Sequence, residues 1–365
     1  MKKLIALFTT FVFAFTLAAC DVDDLDVGIV LPTNEEPRWV QDEGRFEEAL
    51  EDADYSVDIL FSDGDIGTER ENVESLVNQG IDVLIITPQD GDAAAAAVEE
   101  AKAAGVTVIS YDRLVTGTDA VDYYVTFDSI AVGEAQGQYL IDNAPEDEGN
   151  PLYLYSGAEF DNNSFLFFEG GWNVLQPKIE DGTFDVVNSS EAEDLKDNGD
   201  LTREEMSNIM GQIDTEWDFD TARSLAEADL TTVDEDQKGD VFILAPNDGT
   251  ARNIGDVFAD DEDITSYNVT GQDAESPSIQ YIIDEQQSMT VFKDVRTLVD
   301  DAIDMALSVL DGETPQTAGS FDNGVIDVPS AQSDIVTVTR ENVREVIFDS
   351  GYYDEDDFDN VEDLD

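Results

Sequence analysis

The sequence predicts an α/β chain built as two similar lobes, each a doubly wound, mostly parallel sheet. Three observations predict it. Short β-favouring runs alternate with helical segments, which is the pattern of βαβ units. The alternation starts afresh near residue 151, and at 365 residues a chain divides into two domains rather than enlarging one core. Polar cassettes follow the apolar runs: Arg38-Trp39, Asp112-Arg113, Asp161-Asn162-Asn163, Asn247-Asp248, Gln272-Asp273 and Lys293. Ligands of open α/β sheets bind beyond the carboxyl ends of the strands, so these cassettes are expected to converge on one cleft between the lobes.

The chain opens on a processing signal. Lys2 and Lys3 precede an apolar stretch at 4–19 that ends Leu17-Ala18-Ala19-Cys20. A positive start, a short apolar core and small residues before the cut describe an export signal, and the stretch is too short for a spanning helix. The junction resembles a bacterial lipobox, which implies a lipid-modified Cys20 and an exported protein, periplasmic or at the cell surface. Cys20 is the only cysteine, so no intramolecular disulfide forms. Residues 21–26 read as an acidic tether.

Strands are expected at 27–31, 57–61, 83–87, 107–111 and 123–127, with helices at 45–53, 68–79 and 93–104. In the second helix Val73, Leu76 and Val77 share one face. The third is alanine-rich and stops at Gly105, a C-cap residue. Strands recur at 151–156, 184–189, 241–245, 266–270 and 288–292. The stretch 190–215 is polar and acidic, with an Asn198-Gly199 turn signal, and reads as a surface excursion of the second lobe. Residues 354–365 read as an acidic tail.

Lys plus Arg is 17 against 86 for Asp plus Glu, a formal net charge of −69. No basic patch for nucleic acid or an anionic membrane surface can be assembled from that balance. Disorder is countered by 41% hydrophobic residues in strand-like runs. The acidity reads as a solvated, salt-adapted surface, because high salt shortens the reach of self-repulsion. No histidine occurs, which removes the usual general base and most transition-metal sites. Gly-rich phosphate loops are absent, and the acidic runs miss calcium-loop spacing, so neither cofactor nor metal is expected.

What remains suits a small polyol. Sugar hydroxyls both donate and accept, and sugar rings present apolar C–H faces, so Asp, Asn, Arg and Lys beside aromatic rings make a site. Trp39 and Trp217 each adjoin a charged residue in a loop-like context and are read as stacking faces, whereas Trp172 is assigned to packing. Asp248 is read as a helix cap.

The strings Arg38-Trp39, Tyr111-Asp112-Arg113-Leu114, Phe127-Asp128, Asp161-Asn162-Asn163, Asn247-Asp248-Gly249, Gly271-Gln272-Asp273-Ala274, Phe292-Lys293-Asp294 and Gly351-Tyr352-Tyr353 occur in this order. Together they resemble the periplasmic sugar-binding proteins of ABC importers, the ribose-binding-like class, and within it the xylose-binding and multiple-monosaccharide-binding proteins. The resemblance implies a type I periplasmic binding protein fold, its lobes joined by a three-strand hinge. The first lobe would be 27–128 plus 293–323, the second 129–292 plus 324–353. Trp39 and Trp217 would stack on an aldose such as xylose, glucose, galactose or arabinose. Arg38, Asp112 and Arg113 would grip it from the first lobe, Asn162, Asn163, Asn247 and Asp273 from the second, and Lys293 from the hinge. The implied partners of this monomer are a membrane permease and its cytoplasmic ATPase, with the lipid on Cys20 as the only membrane contact. A sensor feeding a membrane kinase or chemoreceptor shares the fold, and a carbohydrate-active enzyme is the alternative of another class. The chain departs from the pattern at Pro37, where relatives carry Glu before Arg-Trp, and in the longer acidic stretch at 190–215.

Overall fold

The computed structural model describes residues 25–145 and 149–364. The export signal and Cys20 lie outside the described residues.

The first lobe begins with β1 (Val27–Leu31), α1 (Pro37–Asp52), β2 (Val57–Phe61), α2 (Ile66–Asn78), β3 (Val83–Ile86), α3 (Ala95–Ala103), β4 (Thr107–Tyr111) and β5 (Tyr123–Phe127). The chain then crosses to the second lobe through α4 (Ser129–Asn143), β6 (Asn150–Leu154), α5 (Asn162–Glu180), β7 (Phe184–Val186), α6 (Ser190–Asp194), α7 (Arg203–Ile213) and α8 (Phe219–Thr232). That lobe continues with β8 (Gly239–Leu244), α9 (Asp248–Asp260), β9 (Ile264–Val269), α10 (Ser276–Ile283) and β10 (Met289–Lys293). A second crossing leads back to α11 (Val295–Leu310), β11 (Gly319–Asp322) and β12 (Asp327–Ser333), and a third to β13 (Ile335–Thr339).

The first sheet has seven strands in the order β11-β12-β5-β4-β3-β1-β2, parallel except for the β11–β12 hairpin. The second is β7-β6-β8-β9, all parallel, and the antiparallel pair β10–β13 lies beside it through a bridge from Gln272 to Val291. Helices cover both faces of each sheet, so central strands such as Val83-Leu84-Ile85-Ile86 are buried throughout and carry no polar face. Successive residues feed opposite faces. Ile29 packs with Phe46 and Leu298, and Val30 with Val73 and Val98. In the second lobe Leu152 and Leu154 meet α5 and α7, while Tyr153 and Tyr155 meet α8 and α9.

Three sequence expectations are corrected. The segment 190–215 is no surface excursion: it forms α6 and α7, and Met206, Ile209, Met210 and Ile213 are buried at helical spacing against Trp172, whose indole donates to Asn198 O at 2.8 Å. Residues 327–333 belong to the first sheet, because β12 pairs parallel with β5 from Ser330–Tyr124 to Ser333–Phe127, so the third crossing follows Ser333 rather than Asn323. The acidic end is not a free tail, since Phe358, Val361 and Leu364 pack with Ile279, Ile347 and Tyr352.

One close approach sets the packing inside the second lobe, and another contact joins the two lobes. Helices α4 and α5 cross with backbones touching: a Cβ on Gly133 would stand 1.9 Å from Phe167 O, and one on Gly170 2.0 Å from Ile130 O. Behind the waist, Gln41 of α1 donates to Tyr353 Oη at 2.7 Å and accepts from Tyr352 Oη at 3.0 Å.

Candidate functional site

Each polar cassette sits at a strand exit or a helix start. Pro37 occupies the first turn of α1, where its fixed φ suits the helix and its missing N–H costs nothing. The helix therefore starts well before the expected residue 45 and holds Arg38 and Trp39 in its first turn, not in a loop. Asp112 and Arg113 follow β4 directly. Asp161 caps α5 through Asn163 N, and Asn247 caps α9 through Thr250 N. The cap of α9 is thus Asn247, and Asp248 is its first helical residue. Gln272 and Asp273 follow β9, and Lys293 ends β10.

These residues surround one cavity between the lobes, lined by Arg38, Trp39, Asp112, Arg113, Asn163, Trp217, Asn247, Asp273 and Lys293. Glu36, Asp161, Phe167 and Gln272 complete the lining. Asn162 is the one expected residue that lies elsewhere. The first residue of α5, just before Asn163, it faces a neighbouring groove, where Arg203 donates to its Oδ1 at 2.9 Å. Asp161 and Gln272 were in the cassettes but without a role. Phe167 had a signal that went unused, since it lies four residues after Asn163 and so on the same helix face. Glu36 was not among the expected residues, because Pro37 separates it from the Arg38-Trp39 string.

The charges are arranged in chains. Arg38 pairs with Asp42 at 3.2 Å, Asp112 at 2.9 Å and Asp273 at 3.5 Å. Arg113 reaches Asp161 at 3.1 Å across the cleft, and Lys293 holds Asp273 at 2.7 Å. Burial pushes Asp112 up, but Arg38, Lys293 and Arg113 outweigh it and hold the carboxyl below the usual range. Asp42, behind Arg38 and bonded by Tyr111 Oη at 3.0 Å, is pushed up to about 6 by burial despite its arginine. Further cross-lobe bonds run from Asn163 Nδ2 to Asp112 O at 2.8 Å and from Tyr124 Oη to Asn163 Oδ1 at 3.4 Å. The lobes are closed on each other.

Guanidinium groups of Arg38 and Arg113 lie 4.8 and 5.5 Å from the ring centroid of Trp39. Trp217 meets Phe167 edge-on at 6.4 Å, and Gly157 leaves room for the indole, since a Cβ there would fall 2.1 Å from Cζ2. Polar atoms of the lining without a hydrogen-bond partner include Gln272 Oε1, an acceptor, and Trp39 Nε1 and Trp217 Nε1, both donors. Asp112, Trp217 and Asp273 all have left-handed backbones, at φ 60°, 59° and 98°. Non-glycine residues adopt that region at a cost, and such strain concentrates where function fixes a side chain's direction. Among the described residues no group of three or more acidic, His or Cys side chains is placed to hold a metal ion. The arrangement offers paired charges, amide groups and aromatic faces, suited to gripping a small polar molecule.

Known proteins are similar to this chain in sequence and in fold. The sequence pattern of the periplasmic binding protein domain matches residues 27–314. The chain is 32% identical over 348 residues to the multiple sugar-binding periplasmic receptor ChvE of Rhizobium radiobacter, covering 93% of this chain and 94% of that protein. It is 28% identical to the D-xylose-binding periplasmic protein of Escherichia coli, over 93% of this chain and 94% of the other. Among solved structures, a carbohydrate transporter solute-binding protein from Chloroflexus aurantiacus in complex with D-glucose matches with a TM-score of 0.90 at 64% identity, covering 92% of this chain and 98% of that one. An ABC transporter solute-binding protein from Clostridium phytofermentans with bound β-D-glucose matches with a TM-score of 0.80 at 31% identity, over 90% and 98%. These relatives are receptors and binding proteins, not enzymes, and the chain, with its two closed lobes and three crossings, belongs to the periplasmic binding protein family.

Proposed function

We propose that this protein is the exported sugar-binding subunit of an ABC importer, closing on one aldose and presenting it to a membrane permease. D-glucose is the first candidate, followed by xylose, galactose and arabinose. The observation that carries the reading is the interlobe cavity, whose side chains come from both lobes and whose unspent groups include an acceptor, Gln272 Oε1, and a donor, Trp217 Nε1. A polyol answers such a lining because each hydroxyl both donates and accepts. A sugar has little apolar surface to bury, so its affinity rests on hydrogen bonds to charged groups, about twice as strong as neutral ones. Asp112, Arg113, Arg38 and Lys293 supply them from the first lobe and hinge, and Asn163, Asn247 and Asp273 from the second. The glucose-bound relative at 64% identity supports the choice of sugar. Lipid attachment at Cys20 would keep the receptor beside its permease, as a monomer.

Calorimetric titration of residues 21–365 in molar salt with a panel of aldoses tests this reading. Micromolar or tighter binding to at least one aldose is expected. The Asp112→Ala, Arg113→Ala double variant is expected to weaken it by roughly a hundredfold, the scale of losing two buried, charged contacts. Absence of heat with every aldose from folded protein, or near-normal affinity in the double variant, would overturn the proposal.

A further inference from the structure

The cavity adjoins a larger space at the mouth of the cleft, and the two share Glu36, Arg113 and Trp217. The mouth carries Glu35, Glu36, Asp63, Glu216 and Asp218, with Arg113 as the lone cation among its lining residues. That cation is already paired with Asp161 at 3.1 Å. Inside, Arg38 and Lys293 are likewise matched to Asp42, Asp112 and Asp273. Glu36 is the exception, because no ion pair reaches its carboxyl. It stands at the junction of pocket and mouth, facing Trp39 on its own helix, Arg113 after β4, and Asp273 and Glu275 after β9. The buried amide oxygen of Gln272 adds a second acceptor with no partner. A ligand entering this space meets the acceptors Glu36 and Gln272 Oε1, the neutral indole donors Trp39 Nε1 and Trp217 Nε1, and no lining cation outside an ion pair to balance a negative charge.

We infer that Glu36 is a specificity-determining residue whose carboxylate makes the pocket select uncharged aldoses over their anionic counterparts, the uronates. The inference rests on the sugar-binding function proposed above. A hydroxyl can donate to Glu36, whereas a second carboxylate placed near it meets a like charge in an enclosed space, which costs enough to reverse binding. The charge on Glu36 is itself titratable. Burial lifts its carboxyl from the usual range to about 7, Arg113 opposes the rise, and Glu275 and Asp273 add to it. Above that pH the side chain is ionised and discrimination is full. Below it the side chain is neutral and discrimination weakens, while a uronate remains charged.

The test is calorimetric titration of residues 21–365 and of Glu36→Gln with D-glucose against D-glucuronate and D-galactose against D-galacturonate, at pH 8 and pH 6. In the natural chain each uronate is expected to bind roughly a hundredfold more weakly than its aldose at pH 8. Glu36→Gln is expected to narrow that ratio at least about tenfold, whatever it does to either affinity alone. Lowering the pH should narrow the ratio in the natural chain and leave it level in the variant. A uronate bound within about threefold of its aldose at pH 8, or a ratio unmoved by the substitution, would overturn the inference while leaving aldose binding intact. Failure of every aldose to bind would instead sink the underlying function and this inference with it. Should Glu36→Gln not fold, the pH dependence of the natural chain decides: a ratio level between pH 8 and pH 6 overturns the assignment.

Discussion

Asp112, Trp217 and Asp273 show how the site is made at the scale of single residues. Each holds a backbone angle that a glycine would adopt freely, yet each carries a side chain the cavity uses. Such strain cannot be read from a string of letters, whereas the placement of an Asp-Arg pair after a β-favouring run can. A second buried acid illustrates the energetics. Glu69 of α2 is 1% exposed, accepts from Gln89 N, and is pushed up to about 7 by burial, with that hydrogen bond and Arg113 pulling the other way. Its folded pKa lies above the unfolded value of 4.5, so its contribution to stability is fully present below 4.5 and is lost as pH rises through about 7. Glu69→Gln keeps an acceptor for Gln89 and removes the charge. It is expected to leave stability unchanged at pH 4.5 and to raise it by about 2 kcal/mol at pH 8, measured as the difference between variant and natural chain in denaturant titrations. Equal stability of the two at pH 8 would mean that the carboxylate is better solvated than its burial indicates.

At the scale of elements, legibility followed the strength of the periodic signal. Strands such as Val57–Phe61 and Thr107–Tyr111 were readable because β-branched and aromatic runs sit between turn residues. Helix α7 was misread although Met206, Ile209, Met210 and Ile213 have ideal spacing, because acidic residues around them hid the stripe. Strand β12 was lost for a different reason: Asp327-Val328-Pro329-Ser330 looks like a loop and becomes a strand only by pairing with β5 on one side and β11 on the other. Its Pro329 is the kind of residue a sequence reading takes as evidence against a strand. Tertiary pairing overrides local preference there. The α4–α5 crossing makes a sharper claim about elements. Gly133→Ala would place a methyl 1.9 Å from Phe167 O, and backbone cannot yield as a side chain can. The gain in helix propensity, about 1 kcal/mol, is expected to be outweighed by overpacking, for a net loss of about 2 kcal/mol. Thermal unfolding checks this, with Gly211→Ala as the comparison, since nothing lies within 4 Å of a Cβ there.

For the whole molecule the dominant quantity is the charge of −69. Self-repulsion among surface carboxylates opposes the compact state, and its range falls from about 10 Å at 0.1 M salt to about 3 Å at 1 M. Unfolding midpoints are therefore expected to climb steeply between 0.1 M and 1 M KCl and to level off above that, in thermal scans at fixed pH. A flat response would show that the acids are already neutralised within the fold. Most of the proposed site was legible because strand exits recur at regular places along the chain. Asn162 was not separable from Asn163 by sequence, because adjacent helical residues point about 100° apart and only the packed lobes decide which one faces inward.

The amide of Gln41, gripped by Tyr352 and Tyr353, gives the far end of the chain a say in what the near end does. One amide atom serves each phenol, so the pair fixes both the position and the orientation of a side chain one turn beyond Arg38 and Trp39. Tyr352 and Tyr353 thus act as a setting jig for α1, so that the helix carrying Arg38 and Trp39 is held in line by a part of the second lobe 312 residues along the chain from Gln41.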